Sequence, residues 1–155
     1  MHLIGYGNPG RCDDGLGPAF AARIAARNLP GIDVSTDYQL TVDHALEIAG
    51  AARVVFVDAL IRCDAPFRFT AIGPAGSGEL ASHSLDPSSV LALAATLFDA
   101  RPEAYLLGIS GEDFGEVREG LSPMAEHNLR LAEAYFTKWM EETGPAASAR
   151  GHAHA

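Results

Sequence analysis

Short apolar segments typical of buried strands alternate along this chain with segments of helical periodicity, and this alternation limits the possible folds more than any other feature. The predicted strands lie at Leu3–Gly5, Ile32–Ser35, Val54–Val57, Phe67–Ala71 and Tyr105–Ile109. The predicted helices begin near Pro18, Thr41, Pro87 and Pro123. Strands that alternate with helices are typical of βαβ units, so the sequence predicts an α/β fold on a parallel sheet.

Local signals mark the ends of several elements. The Thr41 hydroxyl is predicted to cap the second helix, and Asp86 and Ser122 to cap the third and fourth, each just before a proline at the first helical position. The continuous apolar run Val54–Val57 is predicted to be covered on both faces and to end at Asp58. The alternating segment Phe67–Ala71 is predicted to have one exposed face and to lie at the sheet edge.

Length and composition predict one domain. The chain has 155 residues, of which 48% are hydrophobic, enough for a substantial core. We predict a single catalytic domain at residues 1–143 and a disordered tail at 144–155, because the tail has no apolar face to bury. The net charge of -9 argues against nucleic acid or an anionic membrane as partner. Two cysteines indicate no disulfide framework, and no apolar run approaches the roughly 20 residues of a membrane span, so the cytoplasm is the expected compartment.

The loop between the first strand and the first helix concentrates glycines and carboxylates. It reads Ile4-Gly-Tyr-Gly-Asn-Pro-Gly-Arg-Cys-Asp-Asp-Gly-Leu-Gly17. Glycines let the backbone approach a ligand closely, and the adjacent Asp13 and Asp14 supply negative charge. This loop is therefore a candidate for binding or catalysis.

The same loop matches the letters of the dinucleotide fingerprint G-x-G-x-x-G, with Asp33 or Asp37 as candidate ribose ligands. In that fingerprint the third glycine lies in the first turn of a helix that holds pyrophosphate. Here Asn8–Gly10 predicts a turn, and the two carboxylates that follow would repel a phosphate. A nucleotide-binding module remains an alternative.

Candidate ligands converge at one edge of the predicted sheet. Ligands of open parallel sheets bind outside the carboxyl ends of the strands, which selects Asp13 or Asp14 in the first loop, Asp58 after the central strand and His83 in the loop before the third helix. Two carboxylates and one imidazole are a plausible donor set for a divalent metal. Three protein ligands would leave a position open for water or substrate.

Each of these residues also has a structural interpretation. Asp13 or Asp14 could cap the first helix, Asp58 could bind a neighbouring loop, and His83 could be a solvated loop residue. A Cys12 nucleophile is disfavoured because the neighbouring carboxylates would raise the pKa of its thiol. A triad of His83 and Asp58 with Ser82 or Ser84 is disfavoured because the chain has no G-x-S-x-G elbow. The remaining histidines within the helices, His44 and His127, are predicted to be surface residues.

These residues together resemble the hydrogenase maturation proteases, over nearly all of residues 2–143. The segments that carry the resemblance are Gly5–Gly17 with its G-x-G-N start and acidic pair, Val54–Ala59 with its aspartate, Ser82–Leu85 with its histidine, Gly108–Glu112 and Gly120–Pro123. The resemblance implies a three-layer αβα fold with a mostly parallel twisted sheet of about five strands. The best-known members carry glutamate where this chain has Asp14, which is one methylene shorter. The segment Asp37–Thr41 is closer to the subgroup that serves soluble, cofactor-reducing hydrogenases.

The resemblance also implies a function. These endopeptidases trim the carboxyl-terminal extension from the large-subunit precursor of a nickel–iron hydrogenase. The implied contacts to nickel are Asp14, Asp58 and His83, and the nickel is carried by the precursor, so no permanent cofactor is expected. A water bound by an aspartate or polarised by the metal is expected to attack the peptide carbonyl. A non-catalytic metallo-chaperone or accessory protein with the same three ligands is the main alternative.

Overall fold

The computed structural model describes residues 1–61, 63–76, 85–115 and 117–144, and within these ranges strands and helices alternate as predicted. The strands are β1 (His2–Tyr6), β2 (Asp33–Asp37), β3 (Arg53–Ile61), β4 (Phe67–Ile72) and β5 (Glu103–Gly111). The helices are α1 (Leu16–Ala26), α2 (Asp43–Ile48), α3 (Pro87–Phe98) and α4 (Pro123–Thr143). A short 3₁₀ turn, Cys12–Gly15, precedes α1.

The described strands form one sheet in the order β2-β1-β3-β5-β4. Neighbouring strands are parallel except for β4, which pairs antiparallel with β5 at the edge of the sheet. The prediction of an edge strand at Phe67–Ala71 is thus confirmed. The order places β1 and β3 side by side. The strand that follows β1 in the chain, β2, lies on one side of this pair within the sheet, and the strand that follows β3, β4, lies on the other. A crevice at the carboxyl ends of such strands is where open α/β sheets bind ligands.

Two apolar clusters show that helices cover both faces of the sheet. Helices α1 and α4 pack on one face, with Phe20, Leu129 and Phe136 among the fully buried side chains. Helices α2 and α3 pack on the other face, where Ile48 and Val90 are fully buried against the sheet. The predicted three-layer αβα fold with a mostly parallel five-stranded sheet is confirmed.

Two of the predicted helix starts are confirmed atom by atom. The Asp86 carboxylate accepts a 2.8 Å hydrogen bond from the backbone N–H of Ser89 at the start of α3. The Ser122 hydroxyl accepts one of 3.1 Å from the backbone N–H of Ala125 at the start of α4. These caps fix where each helix begins, because they satisfy amide groups that have no partner inside the helix.

The start of α2 differs from the prediction. The Thr41 hydroxyl caps no backbone amide there; instead the Thr41 backbone N–H donates a 2.9 Å hydrogen bond to Nδ1 of His44. His44 is only 6% exposed, so its prediction as a surface residue was wrong, whereas His127 is exposed as predicted. The ring replaces the expected cap because its nitrogen accepts the amide hydrogen from within the helix.

Strand β3 is also longer than predicted. It continues past Asp58 to Ile61, because β5 extends alongside it and pairs Ile61 with Gly111. The ladder between β1 and β3 nevertheless ends at the pair Gly5–Val57, so Asp58 is the first residue of β3 beyond it. Asp58 therefore lies at the central crevice even though its own strand continues.

Helix α4 ends at Thr143, and all of the predicted disordered tail, residues 144–155, except Gly144 lies outside the described residues. Over the described part of the chain, no helix combines the length and the hydropathy needed to cross a bilayer.

Candidate active site

Glycines bring the first loop close to the sheet. A Cβ atom on Gly5 would lie 2.2 Å from the backbone oxygen of Gly17, so β1 and α1 meet at a distance that only glycine permits. Between them the chain makes a turn at Asn8–Gly10, closed by a 3.0 Å hydrogen bond from the Arg11 N–H to the Asn8 carbonyl. Gly10 thus lies in a turn six residues before α1, which begins at Leu16. Gly10, the third glycine of the G-x-G-x-x-G pattern, is therefore not in the first turn of a helix that could hold pyrophosphate.

Asp13 is a structural anchor. Its side chain is fully buried and accepts four hydrogen bonds: from the backbone amides of Glu112 and Asp113 at 2.9 Å each, and from the amide and hydroxyl of Ser122 at 2.7 Å each. Burial by itself would raise the pKa of Asp13, but these donors outweigh it and hold the pKa below its usual value. Asp13 therefore ties the first loop to the segment that follows β5 and to the cap of α4.

Asp14 is held differently and is the free member of the acidic pair. Its Oδ2 accepts one 2.9 Å hydrogen bond, from the backbone N–H of Asn8 in the preceding turn. Neither Asp14 nor its neighbour caps α1, whose N-cap residue is Gly15 with no side-chain hydrogen bond. The capping interpretation of the acidic pair was thus wrong. A carboxylate with a single backbone donor retains acceptor sites for a ligand.

Asp58 and Tyr6 lie next to each other at the central crevice. Asp58 Oδ1 accepts a 2.8 Å hydrogen bond from the N–H of Ala59, and the Tyr6 hydroxyl is a second donor to its carboxylate. The pKa of Asp58 is raised to about 6, chiefly by burial and also by the charge of Asp14, and the two donors offset part of the increase. Burial also raises the pKa of Tyr6, with a further contribution from Asp58, so the phenol keeps its proton.

The electrostatic interaction between Asp14 and Asp58 shows that the fold brings together two of the three predicted ligands. The third, His83, lies outside the described residues. Across residues 1–61, 63–76, 85–115 and 117–144, no three His, Cys, Asp or Glu side chains are grouped closely enough to hold a metal ion. The carboxylates of the described chain alone thus form a pair and not a complete site.

The described residues on either side of the histidine loop lie near this pair. On one side, the Ala75 N–H donates a 2.9 Å hydrogen bond to the carbonyl of Ser88 in α3. On the other side, Leu85 packs in the same apolar cluster as Tyr6, and the charge of Asp86 acts on the Tyr6 hydroxyl. Both ends of the segment are therefore fixed on the face of the sheet that carries Tyr6.

A groove of about 320 Å³ runs beside the first loop. Its lining residues come from the loop, the start of α1 and the end of β2: Gly7, Pro9, Pro18, Thr36, Asp37 and Tyr38. The Gly7 N–H donates a 3.0 Å hydrogen bond to the Asp37 carbonyl, which joins the loop to β2. Tyr38 is 69% exposed, so an aromatic surface is available at the rim. No sequence pattern indicated this groove, because its lining residues come from separate parts of the chain.

Cys12 is not placed as a nucleophile would be. It is 1% exposed, and its backbone N–H donates a 2.8 Å hydrogen bond to the Arg118 carbonyl. It adopts a positive φ of 54°, which few residues other than glycine do. Its position therefore belongs to the same structural junction as Asp13.

Comparison with solved structures identifies the fold. The chain is similar to the hydrogenase maturating endopeptidase HybD from E. coli, with a TM-score of 0.68 and 19% identity over 92% of this chain and 93% of that one. For the [NiFe] hydrogenase maturation protease HycI from Thermococcus kodakarensis KOD1 the TM-score is 0.65, with 25% identity over 86% and 88% of the two chains. The chain has the fold of the hydrogenase maturation proteases.

A third structure extends the comparison to another lineage. The hydrogenase 2 maturation peptidase from Thaumarchaeota archaeon SCGC_AB-539-E09 gives a TM-score of 0.64 and 17% identity over 90% of this chain and 96% of that one. No protein-family model matches the chain, and no curated protein sequence is significantly similar to it. The resemblance to the maturation proteases, predicted from sequence motifs, is thus confirmed through three-dimensional structure.

Proposed function

We propose that this protein is the endopeptidase that removes the carboxyl-terminal extension from the nickel-loaded large-subunit precursor of a nickel–iron hydrogenase. The observation that carries the proposal is the half-buried carboxyl of Asp58, on which the charge of Asp14 acts, at the central crevice of a maturation-protease fold. The charge of Asp14 makes the ionised form of Asp58 less favourable, and a bound cation would compensate for this cost. We place this reaction in the cytoplasm.

We assign His83 as the third residue of the site. It is three residues before Asp86 in the sequence, and the charge of Asp86 acts on the Tyr6 hydroxyl. An imidazole beside two carboxylates gives the mixed nitrogen and oxygen donor set that suits nickel. Asp14, Asp58 and His83 would then contact nickel that arrives on the precursor, with no permanent cofactor in the protease.

The chain's own groups also suit peptide hydrolysis. A carboxyl group with a pKa of about 6 in the free protein is close enough to neutrality to accept a proton from an attacking water. Asp58 is therefore proposed to act as the general base while it also contacts the substrate's metal together with Asp14 and His83, and this contact places the scissile carbonyl. The groove beside the first loop, with Tyr38 at its rim, is proposed to bind the peptide next to the cleavage site.

The test is mass spectrometry of nickel-loaded and metal-free precursor incubated with this protein. We expect loss of a short carboxyl-terminal peptide from the nickel-loaded form only. Asp14→Ala, Asp58→Ala and His83→Ala should each abolish the cleavage. Asp33→Ala is the matched control, because Asp33 is an exposed aspartate at the amino end of β2, away from the crevice. Circular dichroism of every variant verifies that it is folded.

Other outcomes would identify the alternatives. A nickel-loaded precursor that binds tightly and stays uncut would refute the protease and favour a metallo-chaperone or accessory protein. Saturable binding of NAD that survives Asp14→Ala would favour a nucleotide-binding module. Asp14→Glu tests the shorter acid directly: retained cleavage would show that the site tolerates the longer side chain of the best-known relatives.

A further inference from the structure

Tyr6 and Asp58 are placed side by side by the register of the sheet. Strands β1 and β3 are parallel and pair Ile4 with Phe56 and Gly5 with Val57, so the next position on each strand is Tyr6 and Asp58. Side chains alternate between the faces of a sheet, so Tyr6 and Asp58 point to the same face as Ile4 and Phe56. That face is the one covered by α2 and α3.

Both the side chain and the backbone of Tyr6 are fixed by packing. Its ring packs in the apolar cluster under α2 and α3. Its backbone is closely packed against α1: a Cβ atom on Gly17 would lie 2.4 Å from the Tyr6 carbonyl oxygen and 2.8 Å from its nitrogen. A side chain fixed in this way presents its hydroxyl at a defined point and pays little entropy when it forms a hydrogen bond.

The Asp58 carboxylate therefore receives two donors with fixed positions. One is the N–H of Ala59, 2.8 Å from Oδ1, and the other is the Tyr6 hydroxyl, which the register places beside the carboxylate and whose interaction favours the ionised form. Two donors on rigid strands restrict the rotation of the carboxylate. Its remaining acceptor sites are then turned in one direction, at the edge of the crevice where the charge of Asp14 acts on it.

We propose that Tyr6 is a positioning residue, which holds the Asp58 carboxylate in the orientation that peptide cleavage requires. This inference rests on the proposed function and deepens it. Catalytic geometry tolerates only small displacements, and a shift of about 1 Å can cost about a hundredfold in rate. Loss of one of two fixed donors is a smaller disturbance, so we expect a decrease in kcat of about tenfold.

The test is Tyr6→Phe, which removes one oxygen atom and leaves the packed ring in place. We expect kcat for nickel-loaded precursor to fall about tenfold, KM to stay within about twofold, and the urea midpoint to remain that of the wild type. Tyr135→Phe is the matched control, because Tyr135 belongs to α4 and packs against Phe67 and Phe69 on the other face of the sheet. A folded Tyr6→Phe variant with wild-type kcat would overturn the proposal.

A second measurement does not depend on activity. The chain has 4 tyrosines, and labelling their Cζ atoms with ¹³C gives one NMR signal for each, with the Tyr6 signal identified by its absence in Tyr6→Phe. We expect Asp58→Asn to shift the Tyr6 signal more than those of Tyr38, Tyr105 and Tyr135. An unmoved Tyr6 signal would refute the contact. A wild-type protein that cuts no precursor but shows this shift would refute the proposed function alone.

Discussion

Exchange of Asp13 for asparagine should destabilise the protein far more than the same exchange at Asp14, although the two residues are adjacent and chemically identical. Asp13 is fully buried and accepts four hydrogen bonds through its two oxygens. Asparagine has one acceptor oxygen, so its amide nitrogen must face at least one of the donors from Glu112, Asp113 or Ser122. Hydrogen bonds to a charged group contribute about 1.5–3 kcal/mol each. The variant should therefore lose about 3–5 kcal/mol, the usual cost of removing one partner from a buried charged network.

The same exchange at Asp14 leaves its single hydrogen bond intact, because an asparagine oxygen can still accept the N–H of Asn8. We expect a loss of no more than about 1 kcal/mol at Asp14, together with loss of cleavage. Urea denaturation followed by circular dichroism measures both free energies of unfolding. With a slope of about 2 kcal/mol per molar, Asp13→Asn should lower the midpoint by about 2 M and Asp14→Asn by less than about 0.5 M. Equal midpoints, or the reverse order, would refute the division of roles between the two carboxylates.

Three further results are expected. Asp58→Asn should abolish cleavage yet stabilise the free protein by about 1–3 kcal/mol at pH 7.5. The folded state holds the Asp58 proton up to about pH 6, while the unfolded chain releases it near pH 4. Wild-type stability should therefore rise as the pH falls from about 6 to about 4, and the variant should lack that rise. Urea midpoints at pH 5 and 7.5 measure the difference. His44→Leu should cost about 1–3 kcal/mol in thermal denaturation because the Thr41 N–H loses its partner, and His44→Asn, which keeps an acceptor, should cost less. Gly5→Ala should cost about 3 kcal/mol or more, since its Cβ would lie 2.2 Å from a backbone oxygen of α1, whereas Gly50→Ala, with nothing within 4 Å, should be neutral; equal urea midpoints for the two would contradict this packing.

The elements that the sequence predicts best are those whose determinants are local. The caps of α3 and α4 need only a carboxylate or hydroxyl before a proline, and both were found where predicted. The predicted end of β3 was wrong because the length of a strand depends on the neighbouring strand. Here β5 continues to Gly111, which pairs with Ile61. The cap of α2 was wrong because His44 competes with the Thr41 hydroxyl, and a sequence pattern does not rank two polar groups for one amide.

The candidate site likewise contains residues that a sequence rule predicts and residues that only long-range contacts place. The carboxyl ends of parallel strands meet at one edge, and this rule selected Asp58 and either Asp13 or Asp14; in the structure it is the charge of Asp14 that acts on Asp58. The different role of Asp13 was not predictable, because its donors are 99 to 109 residues away along the chain. Tyr6 was missed for a related reason, since its place beside Asp58 follows from the β1–β3 register and from no motif.

The two kinds of buried carboxylate explain how this edge of the sheet is both rigid and reactive. Asp13 has enough donors to stay ionised at little cost, so it can join the first loop, the segment after β5 and α4 into one unit. Asp58 has fewer donors and a neighbouring negative charge, so its ionised form is unfavourable until a cation or a proton arrives. The hydrogen bonds to Asp13 stabilise the folded state, whereas the ionised carboxylate of Asp58 destabilises it. The proposed recognition of a metal-loaded precursor depends on this difference, because a carboxylate fully satisfied by its own donors would gain little from a metal.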